Sequence, residues 1–383
     1  MRIRILRISS AALLFISLLL PVGEAAEDAP PVSAEAAAVA ELESGRILFE
    51  KNGSKPMKAA STVKILTAMV VLDRLDPALK VCIRPEWTGI EGSSMYLRAG
   101  ETCTVEELLT GMLLVSGNDA ATALACLTAG SCEAFALLMN EKAAELGMKE
   151  SRFADPCGLS SEGHWVTAAD MARLGCAAMK DERLKRIVSS RTAGAAGRTL
   201  SNHNKLLWRY EGAVGIKTGY TRAAGRTLLS CAKRDGLSFV CVTLNAPDDW
   251  NDHAALLDWA FSSFMRSRPP AQRWTVPVVS GDSPYAEVRL TEDASLLLPK
   301  GAESVWYAEL PRFVYAPVAA GEGAGRLCCR NGEGVLLSEM PLVFSSDVPL
   351  APGEALGFWE KLRWAWLYAC RHSSASPQYV FYW

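Results

Sequence analysis

Histidine is scarce: four residues in 383 (His164, His203, His253 and His372), scattered along the chain. No His/Cys cluster has metal-ligand spacing, which disfavours a zinc enzyme. A basic excess is also lacking. Lys plus Arg number 40 against 42 Asp plus Glu, a net charge of −2, so no nucleic-acid partner is expected. No internal repeat is visible, and no motif implies a cofactor. What remains is an ordinary globular composition, 50% hydrophobic and 21% charged, which excludes a disordered or fibrous chain. The length suggests two domains, each large enough to bury a core.

Residues 1–7 carry three arginines, 8–22 are apolar, and Gly23-Glu24-Ala25-Ala26 is rich in small residues. This is the layout of a cleaved export signal over 1–26. The apolar stretch is shorter than the ~20 residues that span a bilayer. No Leu-x-x-Cys lipidation pattern follows it. Eleven cysteines do follow. Export favours disulfides, and Cys126–Cys132 and Cys82–Cys103 are the candidate bridges. The odd number and irregular spacing make most of the others small buried apolar residues.

Strands are expected over 36–42 and 46–50, joined at Ser44-Gly45. Helices are expected over 61–75, 104–115, 118–127, 133–146 and 167–179. Thr104 with Glu107 is a capping box. A loop is expected over 189–197, then strands over 213–217, 226–233 and 237–245, the last two joined by Asp235-Gly236. A helix over 252–265 closes the region. Strands, then helices, then strands predict an antiparallel sheet with helices on its faces. Residues 266–273 read as a linker, and 274–350 as a small β domain with strands at 274–279, 285–290 and 304–310.

Three short motifs carry chemistry. In Ser61-Thr62-Val63-Lys64, residues i and i+3 of a helix share a face, so the lysine amine can meet the hydroxyl. A serine becomes a nucleophile when a base takes its proton, and lysine becomes that base when burial or a nearby cation lowers its pKa. Ser116-Gly117-Asn118 offers a hydroxyl for proton relay and an amide for a substrate carbonyl. Lys217-Thr218-Gly219, ending a strand, offers a cation and a hydroxyl for a carboxylate. Its glycine lets a peptide approach the strand. Each motif alone is more often a cap or a strand end. The set, in this order, is the one found in penicillin-binding proteins and related β-lactamases.

The chain resembles the serine-type D-Ala-D-Ala carboxypeptidases, the low-molecular-mass penicillin-binding proteins of peptidase family S11. The likeness extends to Glu43-Ser44-Gly45-Arg46, Gly92-Ser93-Ser94-Met95-Tyr96-Leu97, Leu146-Gly147-Met148, 153–159, 202–207 and 215–225. It implies an α+β penicillin-binding/β-lactamase-like domain over 27–268, an all-β domain over 274–350 and an amphipathic membrane-anchor helix over 352–372. It implies that Ser61 takes up the acyl group of a peptidoglycan stem peptide with loss of terminal D-Ala, with Lys64 as base and Ser116 in proton transfer. Asn118, Lys217, Thr218, Gly219 and Tyr220 would bind substrate, the N–H groups of Ser61 and Tyr220 forming the oxyanion hole. β-Lactams would acylate the same serine, and the enzyme would act outside the cytoplasmic membrane.

One departure stands out: Cys157 occupies the position where the family usually has histidine. The alternatives are a catalytically impaired peptidoglycan- or β-lactam-binding protein, a class A β-lactamase, or a serine glutaminase. A β-lactamase would need a glutamate to activate water, and none stands in a suitable loop. A glutaminase would have no use for an export signal. In the tail, Phe358, Trp359, Leu362, Ala365, Trp366, Ala369 and Cys370 share one helix face, suited to a membrane surface.

Overall fold

The computed structural model describes residues 29–159, 162–352 and 378–381. The expected export signal and tail helix lie outside the described residues. Two compact units divide between Phe264 and Met265.

In the first unit, β1 (Ala36–Glu41) and β2 (Ile47–Lys51) form a hairpin. A 3-10 turn, Ala60–Val63, runs into α1 (Lys64–Leu72), so Ser61 precedes the α-helix rather than opening it. The short pair β3 (Lys80–Cys82) and β4 (Thr102–Thr104) leads into α2 (Val105–Leu114), where the Thr104–Glu107 capping box is formed. Helices α3 (Asn118–Ala129), α4 (Cys132–Glu145) and α5 (Ala168–Lys180) follow as expected. The expected loop 189–197 is in fact the end of α6 (Glu182–Ser189) and the first strand of a hairpin, β5 (Thr192–Ala195) with β6 (Arg198–Ser201). Leu184, Ile187 and Val188 bury one face of that short helix, a pattern too brief to stand out in sequence. After α7 (Leu206–Arg209) come β7 (Ala213–Thr221), β8 (Gly225–Arg234), β9 (Leu237–Leu244) and α8 (Asp249–Ser263).

The central sheet has the order β2-β1-β9-β8-β7, all antiparallel, leaving β7 at an edge. Helices cover both faces. A Cβ on Gly175 of α5 would meet Val240 and Leu229. His253 of α8 bonds Thr243 and Ser230. These positions alternate along β9 and β8, so they face opposite sides of the sheet. The second core layer is the bundle of α1 to α4 around Leu66, Leu109, Leu124, Phe135 and Met139, all buried.

No disulfide joins the described cysteines. In β3 and β4, Val81 pairs with Cys103 and Cys82 with Thr102. The expected partners are therefore one register step apart and on opposite faces: Cys82 is exposed, Cys103 buried. Cys126 and Cys132 are free thiols as well.

The second unit is a seven-stranded sheet of order β15-β11-β12-β17-β16-β14-β18. It is preceded by β10 (Phe264–Ser267), which pairs with β13 (Leu296–Pro299), so the expected linker is partly strand. The other members are β11 (Arg273–Val279), β12 (Tyr285–Leu290), β14 (Ser304–Leu310), β15 (Val314–Tyr315), β16 (Gly323–Asn331), β17 (Leu336–Phe344) and β18 (Gln378–Phe381). In β11 and β12 burial alternates strictly, Trp274, Val276 and Val278 facing the core with Ala286, Val288 and Leu290.

One buried carboxylate ties the bundle to the site. Asp119, the second residue of α3, accepts from Ser94 Oγ at 2.6 Å and from the backbone N–H groups of Met95 and Leu97 at 3.0 Å each. It thereby fixes the segment whose Ser93 carbonyl accepts Asn118 N–H at 2.7 Å. Asp119→Ala strands the buried Met95 and Leu97 N–H groups, and we expect a loss of about 2–5 kcal/mol. A lowered urea midpoint at constant m-value is the expected reading. A parental midpoint would mean the segment is held by other contacts.

Candidate active site

The three motifs meet. Lys64, on the first turn of α1, is fully buried. Its Nζ lies 2.9 Å from Ser61 Oγ, 3.0 Å from the Ser116 carbonyl, 3.3 Å from Ser116 Oγ and 2.5 Å from Asn118 Oδ1. Burial pushes its pKa down to about 8, with Cys157, Asp155 and Asp119 opposing that shift. An amine so placed is partly neutral near physiological pH and touches the hydroxyl it would deprotonate. Two flanking residues adopt left-handed backbone although neither is glycine: Ala60 at φ 47° and Ser116 at φ 62°. Such conformations are retained where the surroundings over-determine them. Here they turn Ser61 and Ser116 toward one amine.

Asn118 is largely committed to the protein. Its Oδ1 receives Lys64, and its Nδ2 donates to the Glu91 carbonyl at 2.6 Å. One amide hydrogen is left over. Gly92 makes this packing possible, because a Cβ there would lie 2.7 Å from Asn118 Nδ2.

Lys217, Thr218, Gly219 and Tyr220 lie within β7, which continues to Thr221 rather than ending at the motif. Lys217 is buried, with Nζ 2.9 Å from the Thr218 carbonyl. Desolvation, then the charge of Lys64, holds its pKa well below the ordinary lysine value. Gly219 admits no side chain: a Cβ would lie 2.4 Å from Thr227 Oγ1 and 3.0 Å from Ser61 N. That close approach sets the Ser61 backbone N–H beside β7, one residue from Tyr220. Tyr220 itself is 70% exposed.

A cleft of about 590 Å³ opens over these groups. Ser61, Ser116, Thr218, Gly219 and Tyr220 line it, while Lys64, Asn118 and Lys217 lie behind its wall. It also takes in residues that motif reading missed: Ser93, His203, Trp208, Arg226, Asp249 and Trp250. His203 sits in the Asn202-His203-Asn204 turn, held by its N–H to the Leu114 carbonyl at 3.1 Å. Desolvation, then the charges of Lys217 and Lys64, lowers its pKa. Arg226 and Asp249 are 23 residues apart and form an ion pair at 2.8 Å. No local pattern announces that pair. No glutamate lines the cleft among the described residues.

Cys157 is buried, and its carbonyl accepts Ser61 Oγ at 3.5 Å. Burial pushes the thiol up to about 11, so it is neutral. Its loop is pinned by Asp155 Oδ1, which accepts the N–H groups of Cys157 at 2.8 Å and Gly158 at 2.6 Å. Gly158 (φ +81°) presses on the turn before Ser61: a Cβ would lie 2.0 Å from the Ala60 carbonyl oxygen.

A serine held by a buried amine, beside an open strand edge, is the equipment of a peptidase that works through an acyl-enzyme. Residues 23–248 match the peptidase S11 family, D-alanyl-D-alanine carboxypeptidase, and the chain belongs to that family. It is 31% identical over 354 residues to D-alanyl-D-alanine carboxypeptidase DacF of Bacillus subtilis (strain 168), covering 86% of this chain and 91% of the relative. It is 32% identical over 371 residues to D-alanyl-D-alanine carboxypeptidase DacC of Escherichia coli (strain K12), covering 90% and 92%. Its fold is similar to penicillin binding protein 5 of Haemophilus influenzae, with a TM-score of 0.68 at 27% identity over 84% of this chain and 98% of the other. The protein is a serine D-alanyl-D-alanine carboxypeptidase of penicillin-binding fold, as its sequence implied.

Proposed function

We propose that the enzyme removes the terminal D-Ala of peptidoglycan stem pentapeptides through an acyl-enzyme on Ser61. The observation that carries this reading is the 2.9 Å contact between Lys64 Nζ and Ser61 Oγ, with the amine's pKa pushed down to about 8. Neutral Lys64 takes the hydroxyl proton as Ser61 attacks the penultimate D-Ala carbonyl. Developing negative charge falls on the N–H groups of Ser61 and Tyr220. Ser116, in contact with Lys64, passes the proton to the leaving D-Ala nitrogen. Lys217 and Thr218 hold the terminal carboxylate, and Asn118 fixes Lys64 and contributes its remaining amide hydrogen to the peptide. Water then frees the shortened peptide. β-Lactams, which mimic the D-Ala-D-Ala end, acylate the same serine. Such a substrate lies outside the cytoplasm, in keeping with export by residues 1–26. Contact of 352–372 with the membrane surface rests on their amphipathic spacing.

D-Ala release from a pentapeptide, followed with covalent labelling by a fluorescent penicillin, tests the reading. Both are expected, with the label on the peptide containing Ser61. Labelling without D-Ala release would favour the impaired binding protein instead.

The lysine base also sets a pH dependence. Its active form is the neutral one, so penicillin acylation should rise with pH, about tenfold per unit well below pH 8, and level off above it. A rate flat between pH 6 and 8 would remove Lys64 as the base.

A further inference from the structure

The proposed function leaves the far end of the cleft without a role, and the inference drawn here rests on that reading. We propose that Arg226 makes the enzyme selective for stem peptides whose third residue from the end carries a free carboxylate at the tip of a long side chain, as a diaminopimelate residue does and a lysine does not.

The direction of the peptide follows from the site. With the terminal carboxylate at Lys217 and Thr218 and the scissile carbonyl at the N–H groups of Ser61 and Tyr220, the peptide runs antiparallel to β7 along its open edge. At ~3.4 Å per residue, its third residue lies beside Tyr220 and Thr221. Arg226 of β8 is the register partner of Tyr220. The peptide occupies the far side of β7 from β8, so its backbone and that of β8 are about two strand spacings, roughly 10 Å, apart. Only a long side chain laid across β7 meets an arginine reaching back. A shorter acidic side chain would not.

Arg226 is built to receive such a group. Its Nε donates to Asp249 Oδ1 at 2.9 Å, and its Nη2 lies in ion-pair contact with the same oxygen at 2.8 Å. Its guanidinium lies 5.6 Å from the Trp250 ring centroid. Nη1 has no partner among the described residues, and the side chain is 41% exposed in the cleft. One edge of the fork is thus fixed and the other is open, the geometry in which arginine takes a carboxylate. Asp249 is the single acid lining the cleft among the described residues, and Arg226 engages it. The other titratable groups facing this space are His203, Lys205 and Tyr220 on the wall and Lys64 and Lys217 behind it. No carboxylate is left to repel an anionic side chain.

The test compares kcat/KM for D-Ala release by the intact protein from three pentapeptides. They differ only at the third residue: lysine, diaminopimelate, and diaminopimelate with its side-chain carboxylate amidated. The diaminopimelate peptide should be better than the other two by about 10–100-fold. In the double variant Arg226→Gln, Asp249→Asn, which leaves no unpaired buried charge, the three should fall within about twofold of one another. Lys205→Gln should keep the preference. Equal parental rates on the three peptides overturn the proposal whether or not the double variant folds. So does a preference that survives in the double variant, or one that vanishes in Lys205→Gln. Equal release from all three leaves the catalytic reading standing. Release from none, with no penicillin label on Ser61, overturns both.

Discussion

Ser61→Ala is expected to abolish penicillin labelling and to reduce D-Ala release to background. The hydroxyl is the one nucleophile that lines the cleft, contacts Lys64 and lies beside the open edge of β7. Ser116 shares the amine, at 3.3 Å. The close approach at Gly219, however, brings the Ser61 N–H to the strand. Without the nucleophile no covalent intermediate forms. Stability should be little changed, because Ser61 is only partly buried and its bonds are to Lys64 and the Cys157 carbonyl. Mass spectrometry of the penicillin-treated variant decides the matter. An adduct formed at the parental rate would move the nucleophile elsewhere and undo the assignment.

Lys64→Met should be nearly as severe for activity and mild for folding. Methionine fills much of the same buried space but accepts no proton, so kcat/KM should drop by about 10²–10⁴. The stability sign follows from linkage. A lysine pKa lowered on folding means the unfolded chain holds more protons between about pH 8 and the ordinary lysine value, so stability climbs with pH across that window and the penalty is complete below it. Removing the amine relieves that penalty at pH 7. It also strips Asn118 Oδ1 and the Ser116 carbonyl of a donor, at about 1–3 kcal/mol. The two effects oppose, so the melting temperature at pH 7 should move by only a few degrees. Retained acylation would show that another group takes the proton. A collapse in stability would show that Lys64 acts chiefly as a strut.

The cysteine at position 157 stands where the resemblance to the family implies a histidine. It leaves a neutral thiol behind the serine, with its carbonyl toward Ser61 Oγ and its sulfur 3.8 Å from the Asn118 carbonyl. The backbone contact would be available from any residue at this position. With cysteine at this position the Ser61–Lys64 contact is in place at 2.9 Å.

Much of this was legible in the chain itself. Ser61 and Lys64 are three apart, and a single turn of any helical backbone brings such residues together. The capping box at Thr104, the turn at Asp235-Gly236 and the strands β11 and β12 are equally local, and all appear where they were expected. Local sequence marked most of the helices and strands of the first unit and the three motifs proposed to carry chemistry, because each depends on residues within a few positions of one another. Tertiary structure alone decided the rest. It converged Lys64 with Ser116 and Asn118 from 52 and 54 residues away, and buried the amine enough to lower its pKa. It put β7 at the sheet edge and carried the strand through Lys217-Thr218-Gly219 to Thr221. It set Cys82 and Cys103 on opposite faces of a two-stranded ribbon. It paired Arg226 with Asp249 under Trp250. Desolvation, register and long-range ion pairing depend on what packs against a residue, and that is settled only when the whole chain has closed around it.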